Sequence, residues 1–318
     1  MERRPVFIDC DPGIDDAVAL MMAFQAAELD VRGITAVAGN VGLERTLGNA
    51  LKIVELSGAA APVYAGADRP MFGAPIAAEH FHGEDGLLGA ELPAPVRMPE
   101  AGPAWEALRR EAEAWGGALE VVATGPLTNL GIALSLYPEL AGLVRCVTMM
   151  GGAAAFGNTT PAAEFNVLAD PEAAELVFRS GIPVVMCGLD VTHSTYITAR
   201  EVEELAALGS VQARLAAYFM GSGIEENARQ FRTGGAPLHD PCAMMYAIDR
   251  SLFESKPCWI GVERHGKVTR GKTVTDAYSD AKRTANARLV TGSDREGFIR
   301  RMMELFAGYG SEMPDEKF

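Results

Sequence analysis

The chain is short of cations. Its 318 residues hold 28 Lys and Arg against 42 Asp and Glu, a formal net charge of −14. A nucleic-acid partner is not expected, because neutralising phosphates takes clustered Lys and Arg. Cysteine is scarce as well. Cys10, Cys146, Cys187, Cys242 and Cys258 are scattered, odd in number, and without CxxC spacing. That argues against a disulfide framework and for reduced, buried thiols in a reducing compartment. No apolar run is long enough to cross a bilayer, and no signal-peptide core separates Met1-Glu2-Arg3-Arg4-Pro5 from the first strand. The expectation is a cytoplasmic protein with no membrane partner. Internal repeats, low-complexity tracts and linkers are also missing, so 1–318 is read as a single domain.

What the chain does have is core material, with 48% hydrophobic residues, and a regular alternation of segments. Val6 to Ile8, Val31 to Val37, Pro62 to Ala65, Leu119 to Thr124, Val144 to Met150 and Pro183 to Cys187 have strand character. Cys258 to Glu263, Val268 to Val274 and Ala287 to Val290 look like late strands. Helical spacing marks Leu43 to Leu56, Ala104 to Trp115, Pro171 to Arg179, Val202 to Met220, Pro241 to Ile248 and Arg295 to Phe306. Gly66 to Pro103 has no clear period, as functional loops often do. Repeated βα units predict an α/β fold: an open, mainly parallel sheet with helices on both faces and a Rossmann-like core. In such sheets the site lies beyond the carboxyl ends of the strands. Asp9, Asp11, Asn40, Thr124 and Met150-Gly151-Gly152 all follow apparent strands, so they are expected to converge.

The most chemical segment is Asp9-Cys10-Asp11-Pro12-Gly13-Ile14-Asp15-Asp16. Pro12 and Gly13 force a tight turn, and Asp15 and Asp16 fall in the first turn of the helix that follows. A helix-capping acidic turn explains one of these carboxylates, not four. The remaining negative charge calls for a hard divalent ion held by oxygens. An EF-hand is excluded, since Leu20 stands where its bidentate Glu belongs. On this cluster alone an Asp-x-Asp phosphatase with Asp9 as nucleophile and Mg²⁺ also fits.

Three further groups stand out. In Leu238-His239-Asp240-Pro241, Asp240 is either a helix N-cap or the completion of a metal site, with His239 turned to a ligand. The run from Gly157 to Asn166 sets Asn158, Glu164 and Asn166 around Phe165, a composition that suits a sugar as well as an ordinary polar loop. Glu79-His80-Phe81-His82-Gly83-Glu84-Asp85 has two histidines but no third ligand for zinc.

Taken together, Asp9 to Asp16, Gly39-Asn40, Thr124 to Asn129, Met150-Gly151-Gly152, Glu164-Phe165-Asn166 and His239-Asp240 resemble the calcium-dependent nucleoside hydrolases of the inosine-uridine preferring type, almost end to end. The resemblance implies hydrolysis of the N-glycosidic bond of a ribonucleoside to base and ribose. It implies one Ca²⁺ held by Asp11, Asp16, the Thr124 carbonyl and Asp240, with Asp11 activating a calcium-bound water and an oxocarbenium-like transition state. Asp15, Asn40 and Asn166 would hold the 2′- and 3′-hydroxyls, and Asn158 and Glu164 the 5′-hydroxyl. Met150 and Phe165 would flank the sugar, and His239 and His82 would face the base. A homo-dimer or homo-tetramer is implied too.

The chain departs from several pyrimidine-preferring relatives by carrying Gln230-Phe231-Arg232 where a tyrosine is expected, and by the charged residues Glu225, Glu226, Arg229 and Arg232 nearby. Base preference is therefore left open between inosine, uridine, cytidine and a broad range. A metal-dependent phosphatase and a non-catalytic nucleoside-binding protein are the rival readings. The first leaves His239-Asp240 and Glu164-Phe165-Asn166 unexplained, and the second leaves the full carboxylate set without a purpose.

Overall fold

In strand β1 (Arg4–Cys10), Val6, Ile8 and Cys10 enter one apolar layer while Phe7 enters the other. That alternation is what a strand buried on both faces requires. The computed structural model describes residues 3–224, 234–276 and 283–310. The further strands are β2 (Leu29–Ala36), β3 (Val63–Ala65), β4 (Leu119–Ala123), β5 (Val144–Met150), β6 (Val184–Cys187), β7 (Tyr196–Ile197), β8 (Ala236–Pro237), β9 (Phe253–Val262), β10 (Thr273–Asp276) and β11 (Ala287–Ser293). Among the described residues, nine of them form one sheet in the order β10-β9-β11-β6-β5-β4-β1-β2-β3, and β7 pairs with β8. From β3 across to β11 every pairing is parallel; β9 runs antiparallel to both β11 and β10.

The helices are α1 (Ile14–Gln25), α2 (Leu43–Leu56), α3 (Glu79–His82), α4 (Ala104–Trp115), α5 (Thr128–Leu136), α6 (Phe165–Ala169), α7 (Pro171–Arg179), α8 (Leu189–Thr192), α9 (Ala199–Ala206), α10 (Val211–Gly221), α11 (His239–Ile248) and α12 (Arg295–Ala307). Helices α1, α2, α10, α11 and α12 cover one face of the sheet, and α4, α5 and α7 the other. The chain winds outward from β1 to β2 and β3, then returns to β4 and winds the opposite way through β5 and β6. The reversal opens a crevice between the ends of β1 and β4, the place where ligands bind in open α/β sheets.

The structure corrects several element boundaries. The helix expected over Val202 to Met220 is two helices, because Gly209 takes φ +83° and Ser210 starts α10 by accepting the Ala213 N–H at 3.1 Å. The strand expected over Val268 to Val274 begins only at Thr273, since 268–271 form a turn closed by Gly271 at φ +81°. Helix α11 starts at His239 with Leu238 at the cap, so Asp240 lies in the first turn and does not cap it. The Gln230-Phe231-Arg232 departure and the charged residues from Glu225 to Arg232 lie outside the described residues.

At the end of the sheet away from the crevice, Glu120 is buried and accepts from Arg4 at 2.8 Å and Arg250 at 2.9 Å, with Arg145 at 3.7 Å. Arg4 also donates to the carbonyls of Ala247 and Ile248. Those are orphan acceptors in the last turn of α11, where a cation is favoured. Replacing Glu120 by Ala leaves these guanidinium groups unneutralised. Because the arginines are partly exposed, the expected loss is about 1–3 kcal/mol of unfolding free energy, read as a lower urea midpoint. An unchanged midpoint would show that the network carries no stability.

Candidate active site

The turn after β1 is held from inside. Asp16, three residues past the helix-capping Gly13, accepts the Gly13 N–H at 3.1 Å and the Asp11 N–H at 3.3 Å. Its carboxylate also takes the Thr124 hydroxyl at 2.7 Å and the Asn40 amide at 3.1 Å. Asn40 donates its backbone N–H to Asp11 Oδ2 at 2.7 Å and its side chain to the Asp11 carbonyl at 3.1 Å. The ends of β1, β2 and β4 are thus tied together through Asp11, Asn40 and Thr124, as their positions after strands predicted.

Two glycines allow the approach. A Cβ on Gly39 would stand 2.0 Å from Asp11 Oδ2, and one on Gly125 2.6 Å from Asp11 Oδ1. Only glycine fits at either place without displacing a buried carboxylate.

Asp240 arrives on α11, which packs against α1. Carboxylate oxygens of Asp15, Asp16 and Asp240 lie within 4.8 Å of one another, all buried. This trio differs from the expected ligand set by including Asp15; Asp11 stands beside it, with Oδ1 buried and unpartnered. Asp15 Oδ1 is also buried without a partner. The first turns of α1 and α11 both face the cluster, and their N-terminal dipoles favour negative charge there. Asp9 faces away from it. Its Oδ1 accepts from Thr35 at 2.6 Å and Asn129 at 2.7 Å, so it braces β1 against β2 and α5.

Burial dominates the electrostatics. It pushes the Asp9 carboxyl up to about 6 and those of Asp11 and Asp240 well above the usual range. Asp15 and Asp16 rise for the same reason, Asp16 further through the neighbouring Asp15 charge. The groups that donate to these carboxylates are amides and hydroxyls, none of them cationic. Buried carboxylates with open oxygens and an all-oxygen donor set fit a hard divalent cation.

The sugar-side candidates line the neighbouring strand ends. Asn166 donates to the carbonyls of Thr124 at 2.6 Å and Met150 at 3.2 Å. Glu164 caps α6 and accepts the N–H groups of Gly152, Asn166 and Val167. Asn158 is exposed and accepts the Phe165 N–H at 3.0 Å; Phe165 is half-buried and Met150 buried.

Two histidines border the cluster. His82 is buried with Nδ1 accepting the Ile14 N–H at 3.2 Å, and burial lowers its pKa to about 4. His239 is half-buried, and burial first, then His193 and His82, lowers its pKa to about 3. His239 Nδ1 lies 2.9 Å from the Thr192 hydroxyl, and its ring 5.6 Å from that of His193. No motif marks Thr192 and His193 in the sequence, although they follow β6 and the carboxyl-end rule applies to them. Asn129 and Thr35, the partners of Asp9, carry no sequence signal of that role either.

A crevice of buried oxygen donors at the switch point of an open α/β sheet defines a metal-dependent enzyme. The sequence profile of the inosine-uridine preferring nucleoside hydrolases matches residues 6–300, and the chain belongs to that family. It is 41% identical over 311 residues to the pyrimidine-specific ribonucleoside hydrolase RihA of Shewanella sp. strain ANA-3, covering 96% of this chain and 97% of that one. The corresponding protein of Salmonella enteritidis is 42% identical over 310 residues, covering 96% and 99%. The solved purine-preferring ribonucleoside hydrolase of Gardnerella vaginalis superposes with a TM-score of 0.90 at 31% identity, covering 97% and 99%. The protein is thus an enzyme that hydrolyses ribonucleosides to base and ribose, which sets the phosphatase reading aside. No helix among the described residues is long and apolar enough to cross a membrane.

The raised carboxyls tie cation binding to pH. Asp11, Asp15, Asp16 and Asp240 each bind a proton more tightly folded than unfolded, so in the window above the usual carboxylate range the folded chain holds more protons. The stability contribution of these groups in the metal-free protein therefore falls as pH rises through that window. A cation must displace those protons, so its stabilisation grows with pH. Thermal unfolding with and without a chelator is expected to show a larger drop in Tm at pH 7.5 than at pH 5. An equal drop at both would sink this account.

Proposed function

We propose that the enzyme acts on pyrimidine ribonucleosides, with Ca²⁺ held by Asp11, Asp16, Asp240 and the Thr124 carbonyl. The observation that carries the metal reading is the open, buried Asp11 Oδ1 beside the Asp15, Asp16 and Asp240 cluster. The donors are all hard oxygens, which favours Ca²⁺ over softer ions. Held there, Ca²⁺ would supply an acidified water and a hard anchor for the ribose 2′- and 3′-hydroxyls.

Asp11 Oδ1, buried and without a partner, takes the proton of the attacking water. Asp15, Asn40 and Asn166 hold the 2′- and 3′-hydroxyls. The Asn166 side-chain amide donates to two backbone carbonyls and to the Met150 sulfur, leaving its Oδ1 to accept from the sugar. Glu164 keeps acceptor capacity beyond its three backbone N–H groups, enough for a 5′-hydroxyl shared with Asn158. Met150 and Phe165 flank the ring. As the bond to C1′ breaks, the carboxylates stabilise the oxocarbenium charge that builds on the ribose. His239 and His82 serve the departing base, which leaves more easily once protonated. Pyrimidine preference is supported by the names of the relatives at 41–42% identity, against the purine-preferring neighbour at 31%.

Base release from a nucleoside panel, with and without a chelator, tests the reading. Uridine or cytidine is expected to exceed inosine in kcat/KM by at least about tenfold, and the chelator to abolish turnover. Asp11→Asn is expected to cost about 10²–10⁴-fold in kcat. Loss of the 2′-hydroxyl strands polar groups, so 2′-deoxyuridine is expected to fall by at least about 10³-fold. Faster turnover of inosine than uridine refutes the base preference, and full activity of Asp11→Asn refutes its role.

A further inference from the structure

The Thr192 side chain is fully buried, at the end of α8, and its hydroxyl sits 2.9 Å from His239 Nδ1 across 47 residues of sequence. A buried hydroxyl must place its proton on an acceptor or lose a hydrogen bond. The neighbouring hydroxyls of Ser194 and Thr195 solve this locally by donating back to the Val191 carbonyl. Thr192 makes no such bond, and among the described residues His239 Nδ1 is the one acceptor its proton has. The hydroxyl therefore donates and Nδ1 accepts. That requires a neutral imidazole with its single proton on Nε2, a nitrogen with no hydrogen bond to the described residues. The ring is held from a second side by His193, which itself rests against Phe156 at a centroid distance of 5.0 Å.

We propose that Thr192 is a positioning residue: its hydroxyl fixes the His239 tautomer that presents a proton on Nε2 to the departing base. The inference rests on the reading of His239 as a base-side proton donor. In the reaction the Nε2–H group donates a hydrogen bond to the base nitrogen or oxygen where negative charge builds as the C1′ bond breaks; the bonding pair leaves with the base, and the stabilised base anion takes its proton from solvent. Water supplies the hydroxyl that ends on C1′, and its second proton goes to Asp11. Asp11 then gives that proton up to solvent, which balances the one taken up by the base. With Thr192 unable to donate, Nδ1 competes for the proton and the productive tautomer is depleted.

The test compares uridine with p-nitrophenyl β-D-ribofuranoside, whose phenolate leaves without protonation. Thr192→Val keeps the shape and deletes the hydroxyl. It is expected to lower kcat on uridine at least about tenfold, with KM within about threefold, so that the nitrophenyl-to-uridine kcat ratio rises about tenfold. Thr192→Ser is expected to restore uridine turnover. Equal losses on both substrates, or no loss on uridine, overturns the proposal. If His239→Ala raises the ratio but Thr192→Val does not, this inference alone fails. If His239→Ala does not raise it, the donor reading fails and takes the inference with it. Should Thr192→Val not fold, ¹⁵N-histidine spectra of the unmodified enzyme decide: a bare Nδ1 and protonated Nε2 on His239 are expected, and the reverse overturns the proposal.

Discussion

Like charges driven together out of water must find an opposite charge or give up their ionisation. The crevice here is built around that demand. Asp11 and Asp16 come from one turn, Asp15 lies between them in sequence, and Asp240 enters on a different helix. The protein's own donors satisfy only part of their capacity. Two helix N-termini aim partial positive charge at the same point, which eases the repulsion without cancelling it. The unfinished part is the specification for a cation, in number of oxygens and in hardness.

The sheet exists to make that meeting possible. Reversal of the winding direction between β1 and β4 separates their connecting helices and leaves room above the strand ends. Thr124 follows β4 and bonds Asp16; Asn40 follows β2 and bonds both Asp11 and Asp16. Helix α11 then runs back along the sheet, with Asp240 at the crevice and its last carbonyls gripped by Arg4 at the other end of the helix. The Asp240 carboxylate is thereby referenced to the floor of the sheet through ten residues of helix.

Much of this was readable in the chain because the chemistry is local or follows a strand. Asp9 to Asp16 declare a turn and a cluster within eight residues, and the βα alternation places Asn40, Thr124 and Met150 at one end of a parallel sheet. What escaped depends on contacts with no periodic trace. Nothing near Asp9 announces that it braces the core through Thr35 and Asn129, 26 and 120 residues away. Thr192 resembles any buried threonine until α11 sets His239 beside it. The break between α9 and α10 turns on one glycine inside an otherwise helical pattern, and Phe165-Asn166 reads as loop because Glu164 starts a helix too short to show a period.

The long reach from Asp16 to Asp240 also orders events in time. A chain made from its N-terminus exposes the β1–α1 turn early and lacks α11 until most of its length has been synthesised. Until then a cation meets only an incomplete, open set of oxygens. The Asp15, Asp16 and Asp240 cluster closes only when α11 docks against α1, so it exists in finished molecules and not in nascent ones. The completed cluster thus marks the moment at which two segments more than two hundred residues apart have met.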